Sequence, residues 1–256
     1  MDVDEIVKQT FDIVWNDTLE KYKINPTRQA FPNGFVLGGQ PGAGKSFLNE
    51  VANEKCYKNI IIINGDDFRK YHPNYEEFQK QYGKDSPKQT AAFAGKMTEA
   101  ILNKAIEKHY NIVIEGTFRT SETPINTLSK MKEHGYKTEV LIQTCSKELS
   151  WKSCQERYAA MQKVDEINGT NEARWTDQAH HDLVCENLAK NVKTVIESGK
   201  ADKTEIFFRD EFGKNELIYS TGSGKELNVK SLNKKIGIKV PEKSVSRKND
   251  GYEIER

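Results

Sequence analysis

Residues 39–46 read Gly39-Gln40-Pro41-Gly42-Ala43-Gly44-Lys45-Ser46, and this stretch decides the fold. It matches the phosphate-binding loop pattern G-x4-G-K-[ST] in full. Its glycines allow consecutive backbone N–H groups to curl around a phosphate, and the N-terminus of a following helix adds positive potential. The lysine can reach the β- and γ-phosphates, and the serine hydroxyl can ligate Mg²⁺. The sequence therefore predicts that residues 39–46 bind ATP or a related nucleoside triphosphate.

The chain around this loop alternates between short apolar runs and amphipathic segments. Strands are predicted over 35–38, 60–63, 111–115 and 138–144, with a final strand or hairpin around 206–219. Helices are predicted over 2–22, 45–54, 74–82, 86–109, 122–134, 146–163 and 176–198, the last capped by Thr176. This alternation indicates a mainly parallel, doubly wound sheet flanked by helices, with right-handed crossovers. The predicted fold is a P-loop α/β domain.

The 256 residues suit one domain, which we place at 1–221 with the N-terminal helix 2–22 attached. From residue 222 to 256 the chain carries nine Lys or Arg against five Asp or Glu and few large apolar residues. This composition predicts a loosely attached, flexible and basic C-terminal extension.

The net charge of +1 gives no general attraction to nucleic acid or to an acidic membrane. The sequence has no apolar run near the roughly 18 residues that span a bilayer, and its acidic start is unlike a signal peptide. We therefore expect a cytoplasmic protein without nucleic-acid or membrane partners. The four cysteines form no C-x2-C pair, which predicts free thiols, and His181 with Cys185 is more typical of core packing than of a metal site.

Polar side chains follow the second and third predicted strands, at the sheet edge where ligands bind in such folds. Asp66 could accept the proton of a substrate hydroxyl, hold Mg²⁺ through water, or simply cap the next turn. Glu115, Thr117 and Arg119 alternate after the third strand, so an extended turn could direct all three into a pocket for a polar second substrate. A plain polar loop would show the same pattern.

Arg157 and Arg174 flank a polar loop over 164–175. An arginine that closes over the γ-phosphate would stabilise the charge of the transition state. Exposed surface arginines would have the same spacing, so the spacing alone does not decide between the two readings.

The chain resembles the zeta toxins of epsilon–zeta type toxin–antitoxin systems, including the pneumococcal-type members. The resemblance covers about residues 35–220 and rests on five blocks in the same order: 38–46, 64–69 with 72–73, 93–99, 113–117 with 119–120, and 156–158. It implies a kinase that uses ATP and Mg²⁺ to phosphorylate UDP-N-acetylglucosamine on the 3′-hydroxyl of its amino sugar, which blocks peptidoglycan precursor synthesis. It also implies a small helical antitoxin that obstructs the ATP site.

The resemblance assigns roles to individual residues. It makes Asp66 the base, Lys45 the residue that grips the phosphates, and Ser46 a ligand of Mg²⁺; Arg157 and Arg174 become the γ-phosphate arginines. Nucleotide-sugar contacts are implied for Glu99, Glu115, Thr117, Arg119 and Thr127.

The chain also departs from the family. Asn64 stands where the family often has an acid, which favours Asp66 as the base, and the segment between Arg157 and Arg174 is longer than usual.

Two other functions fit the same residues. One is a P-loop kinase for another small hydroxyl compound, such as an antibiotic or a different nucleotide sugar. The other is a nucleotide-controlled binding module without catalysis. The polar residues at 66 and 115–119 argue against the binding module, because a protein that only binds a nucleotide needs no pocket for an acceptor.

Overall fold

Six strands form one sheet in the computed structural model, which describes residues 2–21, 26–170 and 172–239. The strands are β1 (Asn33–Gly38), β2 (Ile61–Ile63), β3 (Ile112–Glu115), β4 (Lys137–Thr144), β5 (Lys203–Arg209) and β6 (Asn215–Ser220). Their order across the sheet is β2-β3-β1-β4-β5-β6. The first five are parallel and β6 is antiparallel to β5, so the predicted mainly parallel sheet is confirmed.

Ten helices connect or flank the strands in the described residues. They are α1 (Val3–Lys21), α2 (Ser46–Lys55), α3 (Gly65–Phe68), α4 (Tyr75–Tyr82), α5 (Ser86–Gln89), α6 (Ala91–Glu107), α7 (Glu122–Glu133), α8 (Lys147–Asn168), α9 (Gln178–Glu197) and α10 (Val229–Ile236). None of them is both long and apolar enough to cross a lipid bilayer.

Strands β1, β2 and β4 are buried along nearly their whole length, as in a sheet covered on both faces. Side chains alternate along β1: Val36 packs in a cluster with residues of α7, α9 and α10, whereas Phe35 and Leu37 pack with residues of α2. The end of the sheet at β2 and β3 is covered on the first of these faces by α1 and α6. These buried contacts make the sheet a fixed platform for the loops that leave its carboxyl edge.

All five parallel strands end at that one edge, because parallel strands share a direction. The phosphate-binding loop leaves β1, Asn64 and Asp66 follow β2, and Glu115 and Arg209 are the last residues of β3 and β5. Residues that lie up to 170 positions apart in sequence are therefore gathered in one place.

Helix α8 is longer than the sequence predicts. It continues to Asn168 and ends where Gly169 takes a left-handed conformation with φ 66°, so the polar loop starts at 169 and not at 164. Asp177, not Thr176, caps α9, because its carboxylate accepts a hydrogen bond from the His180 N–H at 2.8 Å. The Thr176 hydroxyl instead accepts a hydrogen bond from Arg157.

The long helix predicted over 86–109 is broken at Thr90. This residue has φ −99° and ψ 3°, which is not helical, and it separates α5 from α6. Its hydroxyl accepts a hydrogen bond from Arg69 Nη1 at 3.1 Å. A tertiary contact thus fixes a break that the local sequence does not reveal.

The predicted loose attachment from residue 222 does not hold for Val229–Ile236. These residues form α10, capped by the Asn228 side chain, which accepts a hydrogen bond from the Ser231 N–H at 3.0 Å. Leu232 and Ile236 are buried in the cluster that α9 contributes to. Residues 240–256 of the predicted extension lie outside the described residues.

Helix α1 packs on the core and also approaches the strand-edge region. Ile6 and Val14 are buried against α6. Asp17 accepts a hydrogen bond from the Tyr71 hydroxyl at 2.7 Å, and Lys21 forms an ion pair with Asp67.

A network of charged side chains joins α2 to the sheet. Lys55 Nζ lies 2.6 Å from Glu139 Oε2 and 2.7 Å from Glu205 Oε2, and Lys203 Nζ lies 2.7 Å from Glu205 Oε1. Burial alone would raise the pKa of Glu205, but the hydrogen bonds and charges of Lys203 and Lys55 outweigh it and hold the pKa below its ordinary value of 4.5. The pairs therefore stabilise the folded state while this carboxylate is ionised.

We expect the Glu205→Gln variant to unfold about 3–8 °C below the unaltered protein at pH 7. A lowered folded-state pKa means that the stabilisation is present above the unfolded-state pKa and is lost as the pH falls through the folded-state pKa. The variant should therefore lose less stability than the unaltered protein between pH 5 and 3. Thermal unfolding followed by circular dichroism across this range measures both effects. Glu216→Gln, on the exposed part of β6, is the control, and equal pH slopes for Glu205→Gln and the unaltered protein would contradict the prediction.

Candidate active site

The phosphate-binding loop lies directly on the backbone of β4 and α8. Gly39 has φ 140° and Gly42 has φ 77°, a region that favours glycine. A Cβ atom at Gly39 would lie 2.0 Å from the Gln143 carbonyl oxygen, and one at Gly42 would lie 2.0 Å from the Ser150 carbonyl oxygen. Both positions therefore require glycine for conformation and for space, and the loop is closely seated on its support.

Gln40 has a structural role that the sequence pattern does not reveal. Its side chain is buried; Nε2 donates to the Cys145 carbonyl at 2.9 Å, and Oε1 accepts from the Thr144 hydroxyl at 3.0 Å. These bonds attach the loop to the end of β4.

Lys45 turns back over its own loop. Its Nζ donates to the Gly39 carbonyl at 3.0 Å and to the Gln40 carbonyl at 3.2 Å. Burial lowers the pKa of Lys45 below its ordinary value; the nearby Glu115 carboxylate opposes this shift, and the Arg157 charge adds to it. Lys45, Glu115 and Arg157 are therefore close enough to interact. Ser46 is the first residue of α2 and is exposed.

Asn64 links the two carboxylates of the strand ends. Its Oδ1 accepts the Asp66 N–H at 3.0 Å, and its Nδ2 donates to Glu115 Oε2 at 3.1 Å. Asn49, on α2, donates to the other Glu115 oxygen at 2.8 Å. The amide at position 64 thus supplies Glu115 with a hydrogen-bond donor, which a carboxylate at this position could not do.

Asp66 is held in place and remains accessible. Its Oδ1 accepts a hydrogen bond from Arg69 Nε at 2.9 Å, and Arg69 is anchored in turn by Nη1, which donates to the Pro87 carbonyl at 2.7 Å. The Asp66 side chain is 53% exposed. It combines a fixed orientation with an oxygen that a substrate can reach.

Arg157 on α8 and Arg174 in the loop that follows this helix have different partners. Arg157 Nη2 donates to Thr176 Oγ1 at 3.1 Å, whereas Arg174 Nη2 lies 3.1 Å from Asp67 Oδ1. Arg157 therefore lies against Thr176, just before α9, and Arg174 lies next to the residue that follows Asp66.

Asp165, near the end of α8, binds residues of the loop that follows this helix. Its carboxylate accepts the Glu172 N–H at 2.9 Å and the Ala173 N–H at 2.7 Å. Burial opposes ionisation of Asp165, but the hydrogen bonds from Thr170 and from these two backbone groups hold its pKa below the ordinary value. These bonds fix the two residues directly before Arg174.

A cavity of about 290 Å³ lies beside Glu115, and Asp66 is not one of the residues that line it. Four of the five predicted substrate residues line it: Glu115, Thr117, Arg119 and Thr127. Glu99 does not, since it lies on α6 with its carboxylate 3.7 Å from Lys130 Nζ. The turn that carries Arg119 is held by Asn191 of α9, whose Nδ2 donates to the Phe118 and Arg119 carbonyls at 2.9 and 2.8 Å.

His180 also lines this cavity, and the sequence did not single it out. It stands in the first turn of α9. Burial lowers its pKa below the ordinary value, and the positive charge of Arg119 lowers it further. The cavity therefore presents a neutral imidazole at neutral pH.

His181 and Cys185 are part of the core, as the sequence favoured. Both are buried, and His181 Nε2 shares a hydrogen bond of 2.8 Å with Ser150 Oγ. All four cysteines are free and buried. Within the described ranges, no group of three or more His, Cys, Asp or Glu side chains is arranged to hold a metal ion.

The chain is similar to known proteins over most of its length. The zeta toxin family model matches residues 16–223. The zeta toxin of Streptococcus pyogenes is 34% identical over 233 residues, which cover 91% of this chain and 80% of that toxin. The toxin PezT of Streptococcus pneumoniae serotype 4 is 37% identical over 179 residues, which cover 70% of this chain and 69% of PezT.

A solved structure from the PezAT chromosomal toxin–antitoxin system of S. pneumoniae superposes with a TM-score of 0.76 at 28% identity, and the match covers 94% of this chain and 92% of the other. The family model spans most of the chain, including the phosphate-binding loop, both carboxylates and both arginines. The chain belongs to the zeta toxin family.

Proposed function

We propose that this protein is a toxin that transfers the γ-phosphoryl group of ATP to the 3′-hydroxyl of the amino sugar of UDP-N-acetylglucosamine. One observation carries the proposal: Glu115 lines the 290 Å³ cavity and also accepts a hydrogen bond at 2.8 Å from Asn49 on α2, the helix that follows the phosphate-binding loop. A donor site and an acceptor site therefore share one sheet edge. A protein that only switches between nucleotide states needs the donor site but not the acceptor site.

The donor site would hold the triphosphate at the loop and the N-terminus of α2. Backbone N–H groups and the helix dipole favour the phosphates, and Lys45 would exchange its two loop carbonyls for phosphate oxygens. Mg²⁺ prefers oxygen ligands and often takes one or two from the protein and the rest from phosphates and water. The exposed Ser46 hydroxyl fits this demand. When bound, the ion neutralises charge on the β- and γ-phosphates.

Asp66 would take the proton of the acceptor hydroxyl as its oxygen attacks the γ-phosphorus. The new bond forms between that oxygen and phosphorus, the bond to the β–γ bridging oxygen breaks, and ADP leaves with the electron pair. Phosphoryl transfer needs mainly positioning and charge stabilisation. The Arg69 hydrogen bond orients Asp66, and Arg157 supplies positive charge near Lys45.

The acceptor would occupy the cavity. Its lining offers a carboxylate, a hydroxyl and a guanidinium from Glu115, Thr117 and Arg119, and an imidazole from His180. These groups suit the hydroxyl, amide and phosphate groups of a nucleotide sugar. Glu99 and Thr127 remain proposed contacts, although only Thr127 lines the cavity.

The product would deplete the pool of peptidoglycan precursors, which accounts for toxicity. The PezAT structure comes from a toxin–antitoxin system. By analogy we propose a small helical antitoxin that blocks the ATP site of this chain.

The test is incubation of the purified protein with ATP, Mg²⁺ and UDP-N-acetylglucosamine. We expect ADP release that depends on the sugar nucleotide, and a product heavier by one phosphoryl group in mass spectrometry. A panel with other nucleotide sugars and hydroxyl-bearing antibiotics identifies a different acceptor. Release of ADP only with another member of the panel would refute the proposed substrate, and ATP binding without any transfer would refute the kinase.

A further inference from the structure

Arg209 connects the last residue of β5 to the outside of the phosphate-binding loop. Its Nε donates to the Ala43 carbonyl at 3.1 Å, and its Nη2 donates to the Gly42 carbonyl at 2.8 Å. Nη2 also donates to the Ser153 hydroxyl of α8 at 3.0 Å. One guanidinium therefore ties the loop to the sheet and to α8, and it belongs to no part of the P-loop motif.

The orientation of these carbonyls determines where the loop's N–H groups point. In a trans peptide the C=O of one residue and the N–H of the next lie in one plane and point in opposite directions. A hydrogen bond that holds the Ala43 carbonyl towards Arg209 therefore turns the Gly44 N–H away from it. The same holds for the Gly42 carbonyl and the Ala43 N–H, which donates into the loop to the Gln40 carbonyl at 3.2 Å.

The guanidinium is close to the loop and is not neutralised. A Cβ atom at Gly44 would lie 3.3 Å from Arg209 Nε, so the side chain packs directly against this glycine. The Arg209 guanidinium donates to the Gly42 and Ala43 carbonyls, the Cys145 sulfur and the Ser153 hydroxyl, and no carboxylate of the described residues pairs with it. Its charge therefore adds to the positive potential of the loop, in the direction that favours a phosphate.

We propose that Arg209 is a positioning residue for the nucleotide: it holds the phosphate-binding loop with its N–H groups turned inward before the triphosphate arrives. This inference rests on the proposed binding of ATP but not on the identity of the acceptor. Preorganised donors bind an anion without the cost of ordering the loop, so loss of Arg209 should weaken nucleotide affinity more than it slows transfer.

Titration calorimetry with ATP and Mg²⁺ tests the proposal in Arg209→Ala and Arg209→Lys. We expect the alanine variant to bind ATP at least about tenfold more weakly, since two charge-assisted hydrogen bonds to the loop are lost. The lysine variant should fall between it and the unaltered protein, because an ammonium group keeps the charge but lacks the planar fork. Lys214→Ala removes a positive charge from the turn of the same hairpin and should bind within about twofold of the unaltered protein.

Kinetics and thermal unfolding separate positioning from general stability. We expect the KM for ATP to rise in Arg209→Ala while the KM for the acceptor and the midpoint of thermal unfolding stay near those of Lys214→Ala. Unchanged ATP affinity in the alanine variant would overturn the proposal. If the alanine variant does not fold, the Arg209→Lys variant provides the test. An ATP affinity of Arg209→Lys equal to that of the unaltered protein would then overturn the proposal. An unaltered protein that does not bind ATP would refute the proposed function itself.

Discussion

Asp66→Asn is expected to lower kcat by about 10²–10⁴-fold, the usual contribution of a positioned general base. The amide cannot accept the proton of the acceptor hydroxyl, but its oxygen can still accept the hydrogen bond from Arg69 Nε, which the carboxylate accepts at 2.9 Å. The local geometry should therefore survive. Asp66 belongs to α3 and not to the phosphate-binding loop, so ATP affinity should change by no more than about threefold.

Initial rates of ADP release with saturating ATP and UDP-N-acetylglucosamine measure this effect, and calorimetry measures the affinity for ATP. Asp85→Asn is the matched control: it makes the same substitution at an exposed carboxylate that pairs with Lys88. We expect its kcat to stay within about twofold of the unaltered value. A kcat in Asp66→Asn that is as high as in the control would remove Asp66 from the role of base.

Arg157→Ala is expected to lower kcat by about 10³-fold or more, the scale of effect of an arginine that stabilises charge during phosphoryl transfer. Burial lowers the pKa of Lys45, and the positive charge of Arg157 adds to this shift. We therefore expect the guanidinium to lie near the γ-phosphate when ATP is bound. Its hydrogen bond to Thr176 at 3.1 Å keeps it on the side of the polar loop.

The control for Arg157 is Lys152→Ala on the same helix, α8. Lys152 is exposed and pairs with Glu156 at 3.7 Å, so its loss removes one positive charge without touching the site. Single-turnover rates compare the chemical step in the two variants. A single-turnover rate in Arg157→Ala within tenfold of that in Lys152→Ala would show that Arg157 does not act on the transferred phosphoryl group.

Much of the fold could be predicted because its signals are local. The loop motif, the apolar run at 60–63 and the polar residues after each strand each depend on neighbours in sequence. They gave the fold class, and they selected Glu115, Thr117 and Arg119, which the structure places around one cavity. The local signals failed where a distant group decides the local structure. Thr90 breaks a helix at a contact with Arg69, and Leu232 becomes buried only when α9 is beside it.

The sequence by itself determined that a strand, a glycine loop and a helix form a phosphate site, because chain-local geometry and glycine conformations fix that unit. Only the tertiary structure decided what surrounds it. Strand order brings the end of β5 to the loop, so Arg209 can hold two of its carbonyls from 166 and 167 residues away. Tertiary packing also gives two arginines different partners: Arg157 on α8 donates to Thr176, and Arg174 in the loop after α8 pairs with Asp67. Such pairings arise from packing between distant segments, which no local pattern encodes.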